Sequence, residues 1–321
     1  MAHNPKRLSR LRAVMGEQGI DVLYVRELSN ISWATGFERV FDDEPAHALV
    51  VSARNCVLHT DSRYFDAMRS AAADTDIEVD NSRMAHSAVL AQVSDCIDGD
   101  IVRVGIEDSM PLAEYRALQR TFEGRTIDLV EISGFVEELR QVKDESEITA
   151  MRKAQSITDA AFANIIAFMK PGMTEREVQL QLDRYMYEEG AEGLAFGTIV
   201  ATGAHAASPH AIPGETKLAF GDAVVMDFGA RYAGYCSDMT RTVFVGEPGD
   251  EARRAYGAIR RANEECEAML RAGLSGADVH QHAEAVLEEE GFGGAMGHSL
   301  GHSVGIDIHE APNLSPRNPK A

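Results

Sequence analysis

The chain has 321 residues, 45% hydrophobic and 26% charged, with 31 Lys and Arg against 51 Asp and Glu for a formal charge of −20. That length suits two domains, each able to bury its own core. The acidic balance argues against nucleic acid or an anionic membrane surface as the main partner, since both reward basic patches. No apolar run reaches the roughly 18–20 residues that span a bilayer, and the N-terminus lacks the apolar stretch of a signal peptide. Cys56, Cys96, Cys236 and Cys266 show no CxxC spacing and read as thiols in a reducing compartment. A soluble, cytoplasmic protein is expected.

Residues 1–135 alternate short strands with helices. Leu8, Leu11 and Met15 mark one face of a first helix that stops near Gly16 and Gly19. Strand-like runs over 21–25, 47–51, 55–59 and 101–106 are interleaved with helical stretches over 62–73, 85–96 and 112–122. This rhythm predicts an α/β domain. It contains no glycine-rich phosphate loop.

The pattern changes near residue 140. Asp144 with Glu147 has the form of an N-cap and its N3 partner, opening a helix that Pro171-Gly172 ends. Thr174-x-x-Glu177 is a capping box for a second helix, with Val178, Leu182 and Tyr185 on one face and Gly190 as its stop. A strand over 196–202, a loop through Pro209 and Pro213, and strands over 221–229 and 235–245 follow. The pattern then restarts. One helix carries Tyr256, Ile259, Cys266 and Met269 and stops at Gly273; the next is opened by Ser275 and stops at Gly291. The second helix–helix–strand unit is shorter than the first. It finishes in a Pro-rich stretch from Ala311 that reads as loop, with no strand to match the 221–245 hairpin, so an incomplete domain is expected.

Asp227 and Asp238 form the strongest chemical feature. A hairpin turning between Tyr232 and Ala233 sets them face to face, with Cβ atoms roughly 4.5–5.5 Å apart. Two anions in partly buried, apolar surroundings raise one pKa, and a divalent cation between them removes the penalty. The competing reading is an exposed, bulge-offset pair with Arg241 as counter-charge. Gly297-His298-Ser-Leu-Gly301-His302-Ser-Val-Gly305, followed by His309-Glu310, concentrates histidines in a chain with 11 in total. The i, i+4 spacing of His298 and His302 suits helical ligands, but the surrounding glycines favour a strand or loop. On a strand, His298 and His302 share one face and His309 takes the other unless a bulge intervenes. A solvated His-rich loop competes with that reading. Ser208-Pro209-His210 adds a further imidazole, equally readable as surface.

Phe196-Gly-Thr-Ile-Val-Ala-Thr-Gly203, Pro209-His210-Ala211, the segment 221–229, Gly234-Tyr-Cys-Ser-Asp238-Met-Thr-Arg-Thr242 and the segment 298–310 together resemble the M24 metallopeptidases. The resemblance is to the Xaa-Pro aminopeptidase and prolidase branch. Asn30-Ile-Ser-Trp33-Ala-Thr-Gly-Phe37, Asp61-Ser-Arg-Tyr64 and Val104-Gly-Ile-Glu107 resemble a creatinase-type N-terminal domain, and Arg140-Gln-Val-Lys143-Asp-Glu-Ser-Glu147-Ile148 the entry into the catalytic half. The resemblance implies an α/β (α+β) chain, with a creatinase-like domain over 1–135 and a pita-bread catalytic domain over 136–321, incomplete at its C-terminus.

It also implies chemistry. Asp227 is expected to hold one metal, Asp238 to bridge two, and His302 to ligate the second. His210, His298 and His309 resemble the histidines that bind substrate and move protons. Two divalent ions, Mn2+ or Co2+ with Zn2+ or Fe2+ as alternatives, are the implied cofactors. A proline-containing peptide is the implied substrate and a homodimer the implied assembly, with no nucleic-acid or membrane partner. The two glutamates that complete such a site are expected beyond Ala321, which puts the activity of this chain in doubt. Glu310 and Asp307 are the nearest substitutes. A metal-free creatinase-like hydrolase and a peptide-binding pseudoenzyme are the competing functions.

Overall fold

Leu8, Leu11 and Met15 are buried along one face of helix α1 (Pro5–Gln18). The helix runs through Gly16 and ends where Gly19 takes a left-handed φ of 65°. This computed structural model describes residues 5–42 and 44–318, and the chain divides into two units, Met1–Val142 and Lys143–Ala321.

In the first unit β1 (Val22–Val25) and α2 (Leu28–Thr35) follow α1. Then come β2 (Ala48–Ser52), β3 (Cys56–His59), α3 (Phe65–Ala71), β4 (Glu78–Asp80) and α4 (His86–Asp95). The unit closes with β5 (Val102–Glu107), α5 (Leu112–Thr121), β6 (Ile127–Ile132) and α6 (Phe135–Gln141). Its strands form one mixed sheet in the order β4-β3-β2-β1-β5-β6, with β2 antiparallel to both neighbours. Tyr24, Val50, Leu90, Val104 and Leu118 lie in its core. The four strands legible in the sequence are those with nearly every residue buried. The sheet edges β4 and β6 are mostly half-buried or exposed and carry no such signal. The division after Val142 reflects α6, which buries Phe135, Val136 and Arg140; Arg140 Nη1 donates to Asn30 Oδ1 at 2.7 Å.

The second unit opens with α7 (Glu145–Phe168) and α8 (Glu175–Glu188), each started by a complete capping box, Asp144 with Glu147 and Thr174 with Glu177. Next come β7 (Gly193–Leu194), β8 (Ile199–Thr202), a 3-10 turn (Gly203–Ala207) and β9 (Ala223–Phe228). They are followed by β10 (Ala230–Tyr232), β11 (Tyr235–Cys236) and β12 (Met239–Phe244). The strands make two small sheets, β12-β9-β8 and β11-β10-β7. Ile157, Ile165, Val178 and Leu182 of the helices pack on Val200, Val224, Met226 and Phe228 of the sheet. Helices α9 (Asp250–Met269) and α10 (Gly276–Glu289) then pair around Ala262, Cys266, Val279 and Val286.

The Pro-rich stretch that reads as loop is instead a strand. β14 (Glu310–Leu314) pairs antiparallel with β13 (Gly301–Ser303). Pro312 is tolerated there because, among the described residues, the sheet has two strands, so each has an edge that needs no donor. Among the described residues, no helix is long and apolar enough to cross a membrane.

Candidate metal centre

Strand β9 alternates: Val224, Met226 and Phe228 are buried, while Ala223, Val225 and Asp227 take the other, half-buried face. Asp227 lies between Ile199 of β8 and Thr240 of β12, and the Thr240 hydroxyl donates to Asp227 Oδ1 at 2.8 Å. The two aspartates are therefore not face to face. Tyr232 pairs with Tyr235, so the chain reverses at Ala233-Gly234, both at positive φ (49° and 79°), as a two-residue I′ hairpin requires. Relative to a turn between Tyr232 and Ala233, this moves the register by two residues, and Asp238 sits diagonally from Asp227.

The diagonal still lets the carboxyls meet. Burial first, then the charge of Asp227, pushes the Asp238 carboxyl up to about 6, and a hydrogen bond to Asp227 adds to the effect. His302, on β13, opposes it from the other side, with Nε2 3.6 Å from Asp238 Oδ2. The segment beyond β13 is anchored next to Asp238 by the Cys236 N–H, which donates to the Gly305 carbonyl at 2.7 Å. A register shift within β13 and the turn after it bring His309 against His302, with ring centroids 4.3 Å apart in an edge-on contact. Strand parity alone does not foresee that contact. Partial desolvation, then His302, then His210 lower the pKa of His309, which places His210 in the same electrostatic field. His298 is exposed and stays on its own segment, its Nδ1 2.8 Å from the Ser299 carbonyl.

The donor chemistry fits a divalent cation. Two neighbouring carboxyls, one with its pKa raised by burial and by the charge of the other, form a pair that a cation would stabilise, and an imidazole stands beside one of them. The three donors meet pairwise, however. Among the described residues, no group of three or more His, Cys, Asp or Glu side chains is gathered closely enough to hold a metal ion.

Three contributors escaped the sequence reading. Thr240 orients Asp227, and its signal is its position two residues after Asp238, near the start of β12. Lys143 Nζ sits 2.8 Å from Glu310 Oε2, and the Asp307 N–H donates to Glu310 Oε1 at 3.1 Å. The Glu310 carboxylate is thus engaged by Lys143 and by its own loop. Glu175, wholly buried, pins the segment that carries His210. Neither Lys143 nor Glu175 has a local sequence signal, because the partners are distant in the chain.

Residues 149–321 match Metallopeptidase family M24, and residues 7–142 match the Creatinase/Prolidase N-terminal domain. The uncharacterized peptidase YqhT of Bacillus subtilis is 33% identical over 315 residues, covering 97% of this chain and 86% of that protein. Among solved structures, the Xaa-Pro dipeptidase from Bacillus anthracis has a TM-score of 0.88 at 33% identity. The X-Pro aminopeptidase from Thermotoga maritima has 0.83 at 33% identity. Each of these two matches covers 98% of this chain and 86% of the other.

Proposed function

Because the chain belongs to metallopeptidase family M24 and carries a creatinase/prolidase N-terminal domain, we propose that it hydrolyses the peptide bond preceding proline. The substrates are Xaa-Pro dipeptides or longer peptides with proline second, and the cofactors are two divalent ions, Mn2+ or Co2+. The observation that carries this is the place of Asp238 between two other donors: the charge of Asp227 helps burial raise its carboxyl to about 6, and the His302 imidazole lies 3.6 Å away.

In this proposal Asp227, Asp238 and His302 hold the ions. Bound there, divalent ions supply Lewis acidity at the scissile carbonyl and a nucleophile from water at neutral pH. Thr240 holds Asp227 Oδ1 in place. Partial desolvation first, then the neighbouring His302 and His210, lower the His309 pKa, which favours its neutral, proton-accepting form. His210 is the second proton-handling group. His298, turned onto the Ser299 carbonyl, enters only as a substrate contact.

Charge counting extends the proposal. Two dications bring four positive charges, and the two aspartates return two. With Glu310 paired to Lys143, the remaining charge is left for other donors, bound water or substrate to balance. Mn2+ titration calorimetry on the dialysed chain and on Asp238→Ala tests the metal half. Wild-type binding that the variant loses supports it, and identical isotherms overturn it in favour of a metal-free hydrolase or a peptide-binding protein. Xaa-Pro cleavage is then assayed for the same two proteins. Chelator-sensitive turnover by the wild type that Asp238→Ala loses is the expected result. Inactivity of the wild type with Mn2+ or Co2+ added removes the peptidase assignment, and equal turnover by the variant removes Asp238 from the site.

A further inference from the structure

We infer that Glu175 is a positioning residue that sets the conformation of the segment carrying His210; the functional weight of this rests on the role proposed for His210 above. Glu175 is the first residue of α8 and is 0% exposed. The capping box at this helix start uses Thr174 and Glu177 and leaves Glu175 with no part in it. A buried carboxylate is expensive unless hydrogen-bonded, and every partner of this one belongs to the 202–214 segment. Oε1 accepts from the Thr202 N–H at 2.9 Å and from His205 Nδ1 at 2.8 Å. Oε2 accepts from the same His205 nitrogen at 3.0 Å and from the Gly214 N–H at 3.1 Å. An ionised carboxylate only accepts, so His205 carries its proton on Nδ1.

One side chain therefore ties the start of the segment to its end, with His210 between them. The backbone reinforces the closure. The Glu175 and Arg176 N–H groups, which a helix start leaves without intrahelical partners, donate to the Thr216 and Gly214 carbonyls at 2.9 and 3.1 Å. The helix N-terminus also favours the negative charge. Within the closed segment Ala211 and Pro213 are buried while His210 and Ile212 point outward. Pinning the ends therefore decides the side on which His210 is presented.

Glu175→Gln tests this in the full chain. It preserves volume but turns an amide NH2 toward one of the N–H donors. Hydrogen exchange of residues 202–214 should accelerate about tenfold or more, the scale set by losing a charge-assisted hydrogen bond, while β9 exchanges as in wild type. The His210 ring proton resonance should broaden and its titration midpoint should move. His205→Ala, at a side chain 35% exposed, provides a second variant should the first fail to fold. It should loosen the same segment, and His205→Asn, which keeps a donor, should restore protection. Wild-type exchange rates and an unmoved His210 titration in the variants would overturn the positioning role. If instead the segment loosens in Glu175→Gln while His210→Ala leaves Xaa-Pro cleavage unchanged, the clamp stands and the role assigned to His210 falls.

Discussion

Lys143 Nζ and Glu310 Oε2 lie 2.8 Å apart with their side chains only 9% and 7% exposed, an ion pair closed between residues 167 positions apart in the chain. Removing one partner leaves the other in a desolvated place without that counter-charge. Lys143→Met is therefore expected to destabilise the chain by about 3–5 kcal/mol, and Lys143→Met with Glu310→Leu to recover most of that loss. Urea midpoints of the two single variants and the double variant measure it; an unchanged midpoint for Lys143→Met rules the pair out as a structural element.

Gly229 stands opposite Asp238 at the junction of β9 and β10, and a Cβ added there meets the Ser237 carbonyl oxygen. Backbone cannot swing aside as a side chain can. Gly229→Ala should destabilise by about 4 kcal/mol or more and separate the two aspartates. By contrast Ala233, held at φ 49°, sits where glycine or asparagine is preferred. Ala233→Gly should stabilise by about 0.4–1 kcal/mol or come out neutral. Thermal unfolding of both variants checks the turn; a large loss for Ala233→Gly would contradict it.

The first unit should weaken in mild acid. His86 Nδ1 lies 2.6 Å from His59 Nδ1, and burial first, then Arg26 and the neighbouring histidines, push His86 down to about 3. The unfolded chain takes up a proton near the ordinary histidine value of about 6.5, whereas the folded imidazole stays neutral. The contribution is complete above that value and is lost as pH falls from it toward about 3. The urea midpoint should therefore drop between about pH 7.5 and pH 5, and His86→Asn should flatten part of the drop. An identical slope in the variant excludes His86 as its source.

Asp238→Asn separates the two states of the candidate metal centre. In chelator-dialysed protein the amide removes the like-charge contact with Asp227, so the melting temperature should rise, by about 2–4 °C for each kcal/mol relieved. With Mn2+ added the order should reverse: the wild type gains stability by binding and the variant does not. Parallel responses of the two proteins to Mn2+ would remove Asp238 from the ligand set.

Local chemistry was legible in the residues alone. The capping boxes at Asp144 and Thr174, the α1 face of Leu8, Leu11 and Met15, and the pairing of two aspartates across one hairpin all depend on neighbours a few positions away. Resemblance to M24 metallopeptidases was carried by ordered short motifs of the same local kind. Tertiary structure decided the rest. The hairpin register depends on Ala233 accepting a left-handed conformation that its residue type does not announce, and a shift of two residues turns a facing pair into a diagonal one. The strand at Glu310–Leu314 forms despite Pro312 because, among the described residues, its strand partner lies on one side. The contact of His302 with His309, the commitment of Glu310 to Lys143 and the burial of Glu175 under the His210 segment all join residues brought together by packing. Spacing in the chain carries no record of such contacts, because their energies come from desolvation and from partners that only the folded chain supplies.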